Sequence, residues 1–315
     1  MSDPFPNVHS PMLATLIDAP FDGDDWLFET KWDGFRALCT ISASGSVRLV
    51  SRNGKDFLER FPELRELHVS FHGTSLLLDG EIVALDRYGR SDFQRLQNAE
   101  RENITLSYAV FDVLYAHGTD LREHRLSERK RHLRDLFIEG GAALLSDFVV
   151  GKGKALFARA KRRHLEGIIG KRIASSYQER RSRDWVKIKT TCEQEFVIGG
   201  WTDPEGSRIG FGSLLLGAYE GTKLRYVGEV GSGFSDRVLH ALHRVLREHE
   251  RNSTPFVDTP ERGNDIHWAS PHFIAEIRFS EWTRERRLRH PVFLGLRDDK
   301  SAREVVFETP TQREA

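Results

Sequence analysis

The stretch FETKWDGFRAL, Phe28 to Leu38, sets a lysine inside a strand-like run and follows it with a carboxylate and a glycine. Lys31 could act there as a nucleophile. An amine attacks only when deprotonated, and free lysine titrates near ~10.4, so such a lysine needs a desolvated, cation-rich pocket at neutral pH. The same residues suit an ordinary β-hairpin, with Phe28, Trp32 and Ala37 on its strands, Asp33-Gly34 as its turn and Lys31 solvated. K-x-D-G alone does not choose between the two. At roughly 5% usage per residue type it arises by chance in about one chain in twenty-five of this length.

Further segments place charged or aromatic residues where a purely structural strand has no need of them. VSRNG, Val50 to Gly54, ends a strand at Arg52, either a solvated strand-end arginine or a bidentate clamp on a phosphate or ribose. LLLDGEIVALD, Leu76 to Asp86, inserts Asp79-Gly80-Glu81 into an apolar run. Its length favours a continuous buried strand over a turn, and a buried Glu81 must then meet a metal, a cation or a ribose hydroxyl. In YAVFDVLY, Tyr108 to Tyr115, Phe111 is either core or the flat apolar platform that a nucleobase needs. LEGIIGKR sets Glu166 and Lys171 at the two ends of a short apolar strand. RDWVKIK puts Trp185, Lys187 and Lys189 on one face by the period of two. Two lysines side by side repel unless a polyanion lies between them, and they would depress the pKa of a third lysine nearby.

Composition sets the frame for these candidates. At 315 residues the length suggests two domains, and 39% hydrophobic with 10% aromatic residues can build a real core. No window approaches the ~18 apolar residues of a membrane span, and the N-terminus lacks a charged-then-apolar signal pattern. Cys39 and Cys192 form no C-x-x-C pair, which disfavours a disulfide framework and a cysteine zinc site and points to the cytosol. The thirteen histidines show no ligand spacing. Net charge is zero, 47 basic against 47 acidic residues, yet KGKALFARAKRRH (Lys152 to His164) carries six Lys/Arg and no acid, and RERRLRH (Arg284 to His290) four arginines and one glutamate. Such runs are commonly solvated faces; two of them in a balanced chain are modest evidence for phosphate binding.

The elements that must position these residues read as α+β. Strand patterns dominate the first hundred residues, interrupted by GKDFLERFPELRELHVSF, whose Phe57, Phe61, Leu64 and Leu67 fall at helical spacing. DFQRLQNAERE, LSERKRHLRDLF and GKALFARAKRRHLEG read as helices, the last ending at Gly167. Beyond Thr190-Thr191 come short strands with glycine turns and one helix, SDRVLHALHRVLREHE, which fits a small Greek-key barrel of the OB type. A hinge is expected between Lys189 and Glu193.

Taken in order, K-W-D-G, S-R-N-G, L-D-G-E, Y-A-V-F-D, E-G-I-I-G-K-R and D-W-V-K-I-K resemble the ordered motifs of covalent nucleotidyltransferases. These are the ATP-dependent DNA ligases, with RNA ligases and mRNA-capping guanylyltransferases as relatives. LRHPVFLGLRDDK is similar to the final motif on their OB domain. The resemblance is nearest to the ligase module of bacterial ligase D and runs from His9-Ser10-Pro11-Met12-Leu13 to Lys300.

The resemblance implies an antiparallel-sheet adenylation domain over 1–190 and an OB-fold domain over 191–315. It implies an ATP-dependent ligase that seals 5′-phosphate/3′-hydroxyl nicks through a lysyl-AMP and a DNA-adenylate, in repair or end joining. Lys31 would be the nucleophile, Lys187 and Lys189 would hold the α-phosphate, and Glu81 and Glu166 would bind Mg²⁺ (or Mn²⁺) or ribose. Phe111 would stack on adenine with Glu29 at the base edge; Asp33, Gly34, Lys171 and Trp185 would line the nucleotide site. Arg36 and Arg52 would meet ribose and the nick 5′-phosphate. Arg289, Arg297, Asp299 and Lys300 would close over the pyrophosphate in the first step. No helical DNA-binding domain, polymerase or nuclease module is expected in this chain. DNA binding is therefore expected to be weak and salt-sensitive, by a monomer acting in the cytoplasm at the nucleoid, with a Ku-type end-binding partner. The alternatives are an RNA ligase or capping enzyme, disfavoured by the OB domain and its R-x-D-K ending, and a catalytically idle nick-binding module, disfavoured by the full set of charged positions.

Overall fold

The computed structural model describes residues 5–308 apart from 7, 9, 74, 100–103, 205, 207 and 259–264, so His9 and the end of the 92–102 segment lie outside the described residues. The described chain divides after Thr190 into two compact units.

The first unit threads β1 (Leu13–Leu16), β2 (Gly23–Lys31), β3 (Phe35–Ile41), β4 (Val47–Ser51), a 3₁₀ helix (Pro62–Ser70), β5 (Leu76–Ala84) and α1 (Phe93–Gln97). It continues through β6 (Leu106–Ala116), β7 (Thr119–Asp120), α2 (Leu126–Leu136), β8 (Ala143–Leu145), β9 (Phe148–Gly151), α3 (Gly153–Arg162), β10 (Gly167–Arg172) and β11 (Arg181–Lys189). Two sheets result, ordered β1-β11-β10-β2-β9 and β4-β3-β5-β6-β7, with β8 beside β6. Pairing is antiparallel except for β1 with β11 and β6 with β8. One apolar cluster lies on the far face of the second sheet, around Phe35, Phe57, Phe61, Leu64 and Tyr108. A second joins the back of the first sheet (Phe28, Ile168, Val186) to α3 through Leu156 and Ala160. A third, with Met12, Leu38, Leu77, Phe111 and Trp185, sits where the two sheets face each other.

Three local expectations are corrected. The segment after Phe57 is 3₁₀ rather than α, because its buried positions Leu64, Leu67 and Ser70 recur every three residues behind Pro62. The basic helix α3 ends at Arg162, short of Gly167: His164 takes φ 55, the left-handed turn that stops a helix, and the chain re-enters a sheet. Asp33-Gly34 is not a hairpin turn, since β2 and β3 belong to different sheets. Gly34 is needed there because a Cβ would come 2.1 Å from the Ile82 carbonyl oxygen. The run from Leu76 is, as expected, one continuous buried strand.

A buried ion pair ties α2 to β6. Arg129 donates Nε and Nη2 to the two Asp112 carboxylate oxygens at 2.8 and 2.9 Å, with both side chains 0% exposed. Its Nη1 donates to the carbonyls of His124 and Ser175. Arg129→Met strands Asp112 in the core, and the expected loss is about 3–5 kcal/mol of stability by denaturant midpoint. A loss below about 1 kcal/mol would mean water already reaches this pair.

The second unit comprises β12 (Cys192–Thr202), β13 (Leu214–Glu220), β14 (Lys223–Val230), α4 (Asp236–Glu248), β15 (Glu250–Arg251), β16 (Ile266–Ala269), β17 (Ile274–Phe279), β18 (Glu281–Trp282), β19 (Leu288–Arg289) and β20 (Val292–Arg297). Along one edge of β12, Cys192–Val197 pair with β17 and Gly200–Thr202 pair with β16. That split curls the sheet around Phe196, Leu214, Leu216 and Ile277, and α4 closes it with Leu239, Leu242 and Leu246. The α+β class, antiparallel sheets followed by a curled barrel-like sheet, is the one expected.

Candidate active site

Strand register places the candidate residues in rows. Across β2, β10 and β11 the partners are Lys31–Gly167–Lys189, Glu29–Ile169–Lys187 and Leu27–Lys171–Trp185. Directly paired residues point to the same side of a sheet, so Lys31, Glu29, Lys171, Lys187, Lys189 and Trp185 share one face. The intervening residues Phe28, Ile168, Val186 and Ile188 fill the opposite face against α3. Lys31 and Lys189 are therefore two strand spacings apart, about 9 to 10 Å along the sheet, with only a glycine between them. Gly167 cannot be replaced cheaply, because a Cβ would lie 2.1 Å from the Ile188 carbonyl oxygen. The result is a lane without side chains between two lysines, with Lys187 in the next row.

Glu166 stands at the mouth of that lane. The backbone N–H of Thr190 donates to the Glu166 carbonyl at 2.9 Å, which anchors the residue ahead of β10. Its carboxylate accepts from Lys31 Nζ at 2.5 Å. Burial works against the Lys31 charge, but Glu166, then Glu81 and Asp33, outweigh it and hold the ammonium above its usual range. This corrects the expectation of a depressed nucleophile. The charges that decide its protonation are carboxylates rather than the two lysines of β11. The lysine held low is Lys171, pushed down to about 8 by burial, which Glu29 opposes and Lys130 reinforces.

The second sheet supplies the facing wall. Arg36 on β3 pairs in register with Glu81 on β5. Its guanidinium is fixed by Asp79 through Nε at 3.0 Å and Nη2 at 2.6 Å. Asp79 is fully buried and also accepts from the Tyr177 hydroxyl at 2.7 Å, so its charge is satisfied by three donors. Arg36 thus leans on Asp79 and over the Phe111 ring at 5.3 Å. Phe111 is the residue skipped in the β5–β6 register between Val110 and Asp112, a bulge that re-aims its side chain. Arg52 follows β4, at the Arg36 end of β3 by the Ala37–Ser51 pairing. Asp33 is tied down by its N–H to Ser91 Oγ at 3.0 Å.

At the inner end of the site Phe111, only 8% exposed, meets Trp185 edge-on, and Lys171 Nζ lies 4.3 and 4.1 Å from the two ring centres. Glu29 is buried between Lys171, at 2.8 Å, and Lys130 of α2. Lys171, Trp185 and Glu29 are thus packed into the wall rather than spread along an open pocket. Sequence reasoning missed Lys130 and Tyr177; no motif spacing marks Lys130, which reaches Glu29 from an otherwise ordinary amphipathic helix.

Glu81 and Glu166 both act on Lys31, and hard carboxylate oxygens suit Mg²⁺, which is usually held by one or two carboxylates plus substrate phosphates. Among the described residues no group of three or more His, Cys, Asp or Glu could hold a metal by itself. The pair therefore fits a metal shared with a polyphosphate rather than a closed protein cage.

In the second unit the charged ending forms its own cluster. Arg297 holds Asp299 through Nε and Nη2, both at 2.9 Å, and reaches Glu276 at 3.2 Å. Lys300 is paired with Glu195. Burial opposes the Asp299 charge, but Arg297 and Lys300 hold its carboxyl below the usual range. Arg289 does not join this cluster; it pairs with Glu281 on the surface at 2.6 Å. Glu195 and Glu276 were missed; each reads as an ordinary strand carboxylate until Lys300 and Arg297 are set against it.

Residues 11–189 match the family model described as ATP dependent DNA ligase domain, and residues 207–300 match ATP dependent DNA ligase C terminal region. The chain is 42% identical over 318 residues to the multifunctional non-homologous end joining protein LigD of Pseudomonas aeruginosa, covering 98% of this chain and 37% of that protein. It is 39% identical over 305 residues to the multifunctional non-homologous end joining DNA repair protein LigD of Mycobacterium tuberculosis, covering 95% of this chain and 40% of that protein. The chain therefore spans about two fifths of the length of these relatives. Among solved structures, mycobacterial DNA ligase D complexed with ATP and MES superimposes with a TM-score of 0.68 at 37% identity, covering 94% of this chain and 97% of that one.

Proposed function

The chain belongs to the ATP-dependent DNA ligases, and on that premise we propose that it seals nicks in duplex DNA through an adenylate carried on Lys31, as the ligase part of an end-joining system. The observation that carries this reading is the lane at Gly167: a lysine beside a carboxylate, facing a second lysine, with no side chain between.

In the first step Lys31 gives its proton to Glu166 or solvent and its Nζ lone pair attacks the α-phosphorus of ATP. A P–N bond forms and pyrophosphate leaves. In the second, an oxygen of the nick 5′-phosphate attacks the same phosphorus, and the P–N bond breaks as Lys31 takes a proton back from Glu166 or solvent and departs as the amine. In the third, the 3′-hydroxyl attacks the 5′-phosphate and AMP leaves. Phosphoryl transfer asks mainly for in-line positioning and neutralised oxygens, and Lys187 and Lys189 supply positive charge across the lane. Glu81 and Glu166 would hold Mg²⁺, with Mn²⁺ as a substitute, and the metal when bound would neutralise phosphate charge. Phe111 would present its ring to adenine. A Ku-type end-binding protein is the partner this reading implies, and the chain acts as a monomer.

Asp299 and Lys300 are assigned to the pyrophosphate leaving group, so they matter only while it is present. Asp299→Asn and Lys300→Ala should each fail to take label from α-labelled ATP, yet seal a nick supplied with its 5′-AMP attached. Side-by-side measurement with Lys187→Ala, which should lose both activities, checks this. Equal loss of both in the Lys300 variant would reduce the ending to a structural role.

A further inference from the structure

The geometry points to a contact for the sugar-phosphate backbone of duplex DNA, formed by the outer face of α3 and the turn at Tyr88, on the side of the first sheet away from the reactive face; the inference rests on the ligase reading. α3 is anchored by Leu156 and Ala160, which fixes its orientation, and Lys154, Lys161 and Arg162 are exposed on the other side. No acidic residue lies between Lys152 and His164, and the chain as a whole is neutral, so this surface is not a by-product of a basic composition. Among the described residues these three cations are held in no ion pair. Cations in the last turn of a helix offset its dipole, which accounts for Lys161 and Arg162. Lys154 sits in the first turn, where its backbone N–H donates to the Asp22 carboxylate at 2.9 Å, so an acid from outside the helix already balances that end. The three exposed cations have one partner type in common, an external polyanion, and no acid on the helix itself competes for it.

A second element extends the surface. Tyr88, 58% exposed, tips the turn from Asp86 to Arg90, with the Arg87 and Arg90 guanidiniums 4.8 and 5.3 Å from its ring centre. Arg163 Nη2 donates to the Tyr88 carbonyl at 3.0 Å and so joins the turn to the end of α3. The turn and the C-terminal end of α3 continue along the chain toward the reaction centre. Ser91, just past the turn, accepts the Asp33 N–H at 3.0 Å, two residues from Lys31. Arg162 precedes Glu166 by four residues, a span of at most about 14 Å. An exposed aromatic among cations suits a phosphate backbone with the ring laid against a sugar or base.

The test uses the full chain and a labelled nicked duplex with a 5′-phosphate, held in EDTA so that binding is read without turnover. Lys154→Gln with Lys161→Gln and Arg162→Gln should lower the salt dependence of log Kd by about 0.9 for each phosphate that the variant no longer neutralises, and weaken binding roughly tenfold or more at moderate salt. Tyr88→Ser should weaken binding with the salt slope unchanged. Both should adenylate from ATP like the parent. The same removal of charge at Arg48, Arg65 and Arg95, exposed on β4, the 3₁₀ helix and α1, should leave the slope intact. The inference is overturned if the α3 triple keeps the parent's slope, if the Arg48 triple loses as much, or if the α3 triple also loses adenylation. Failure of the ligase reading looks different, since the parent protein would then take no label from ATP.

Discussion

Lys31→Ala should fold like the parent and accept no label from α-labelled ATP, because no other amine occupies its position in the lane opposite Lys189. Lys31→Arg should fail equally, since a guanidinium stays protonated at any working pH and offers no lone pair to phosphorus. Both variants should still close a nick whose 5′-AMP is already attached, where no lysyl-adenylate is needed. The readout is label retained on the protein after denaturation, with GTP as the competing nucleotide. A normal adenylate on either variant would remove Lys31 from the mechanism. Transfer from GTP in preference to ATP would replace the ligase reading by a capping one.

Glu166→Ala should cost several orders of magnitude in metal-dependent adenylation while leaving the fold intact. It removes one of the three carboxylates that act on Lys31 and with it the transition-state charge stabilisation that a metal held there would provide. Retention of more than about a tenth of the rate at saturating Mg²⁺, a cost under ~1.4 kcal/mol, would make Glu166 structural. The same residue sets the protonation of the nucleophile. Glu166 raises the Lys31 pKa, so removing its charge must lower it, and a neutral amine must appear at lower pH. Acylation of Lys31 in the ligand-free protein, followed by mass spectrometry across pH, should therefore move to lower pH in Glu166→Gln. An unchanged profile would contradict the 2.5 Å pair as the source of the raised pKa.

The sequence by itself determined which residues share the reactive face. A strand alternates with a period of two, so Trp185, Lys187 and Lys189 had to point one way and Val186 and Ile188 the other, whatever the strand paired with. It determined equally that the Leu76 run would be a buried strand carrying Asp79 and Glu81, because its length and composition leave a turn no room. Tertiary structure alone decided who meets whom. Glu166 reaches Lys31 across 135 residues of chain, and only the register of β10 on β2 brings them together. Asp33-Gly34 reads locally as a hairpin, but β2 and β3 are claimed by different sheets, and the tight pass of Gly34 against Ile82 replaces the turn. The sign of the Lys31 shift could not be read from neighbours in sequence. It is a balance between burial and charges brought in by β5 and the start of β10, in which the carboxylates prevail. Lys130, Glu195 and Glu276 were hidden for the same reason. Each looks like an ordinary helix or strand residue until the fold sets it against a charge from a distant strand, because Coulomb energy follows distance in space and not separation along the chain.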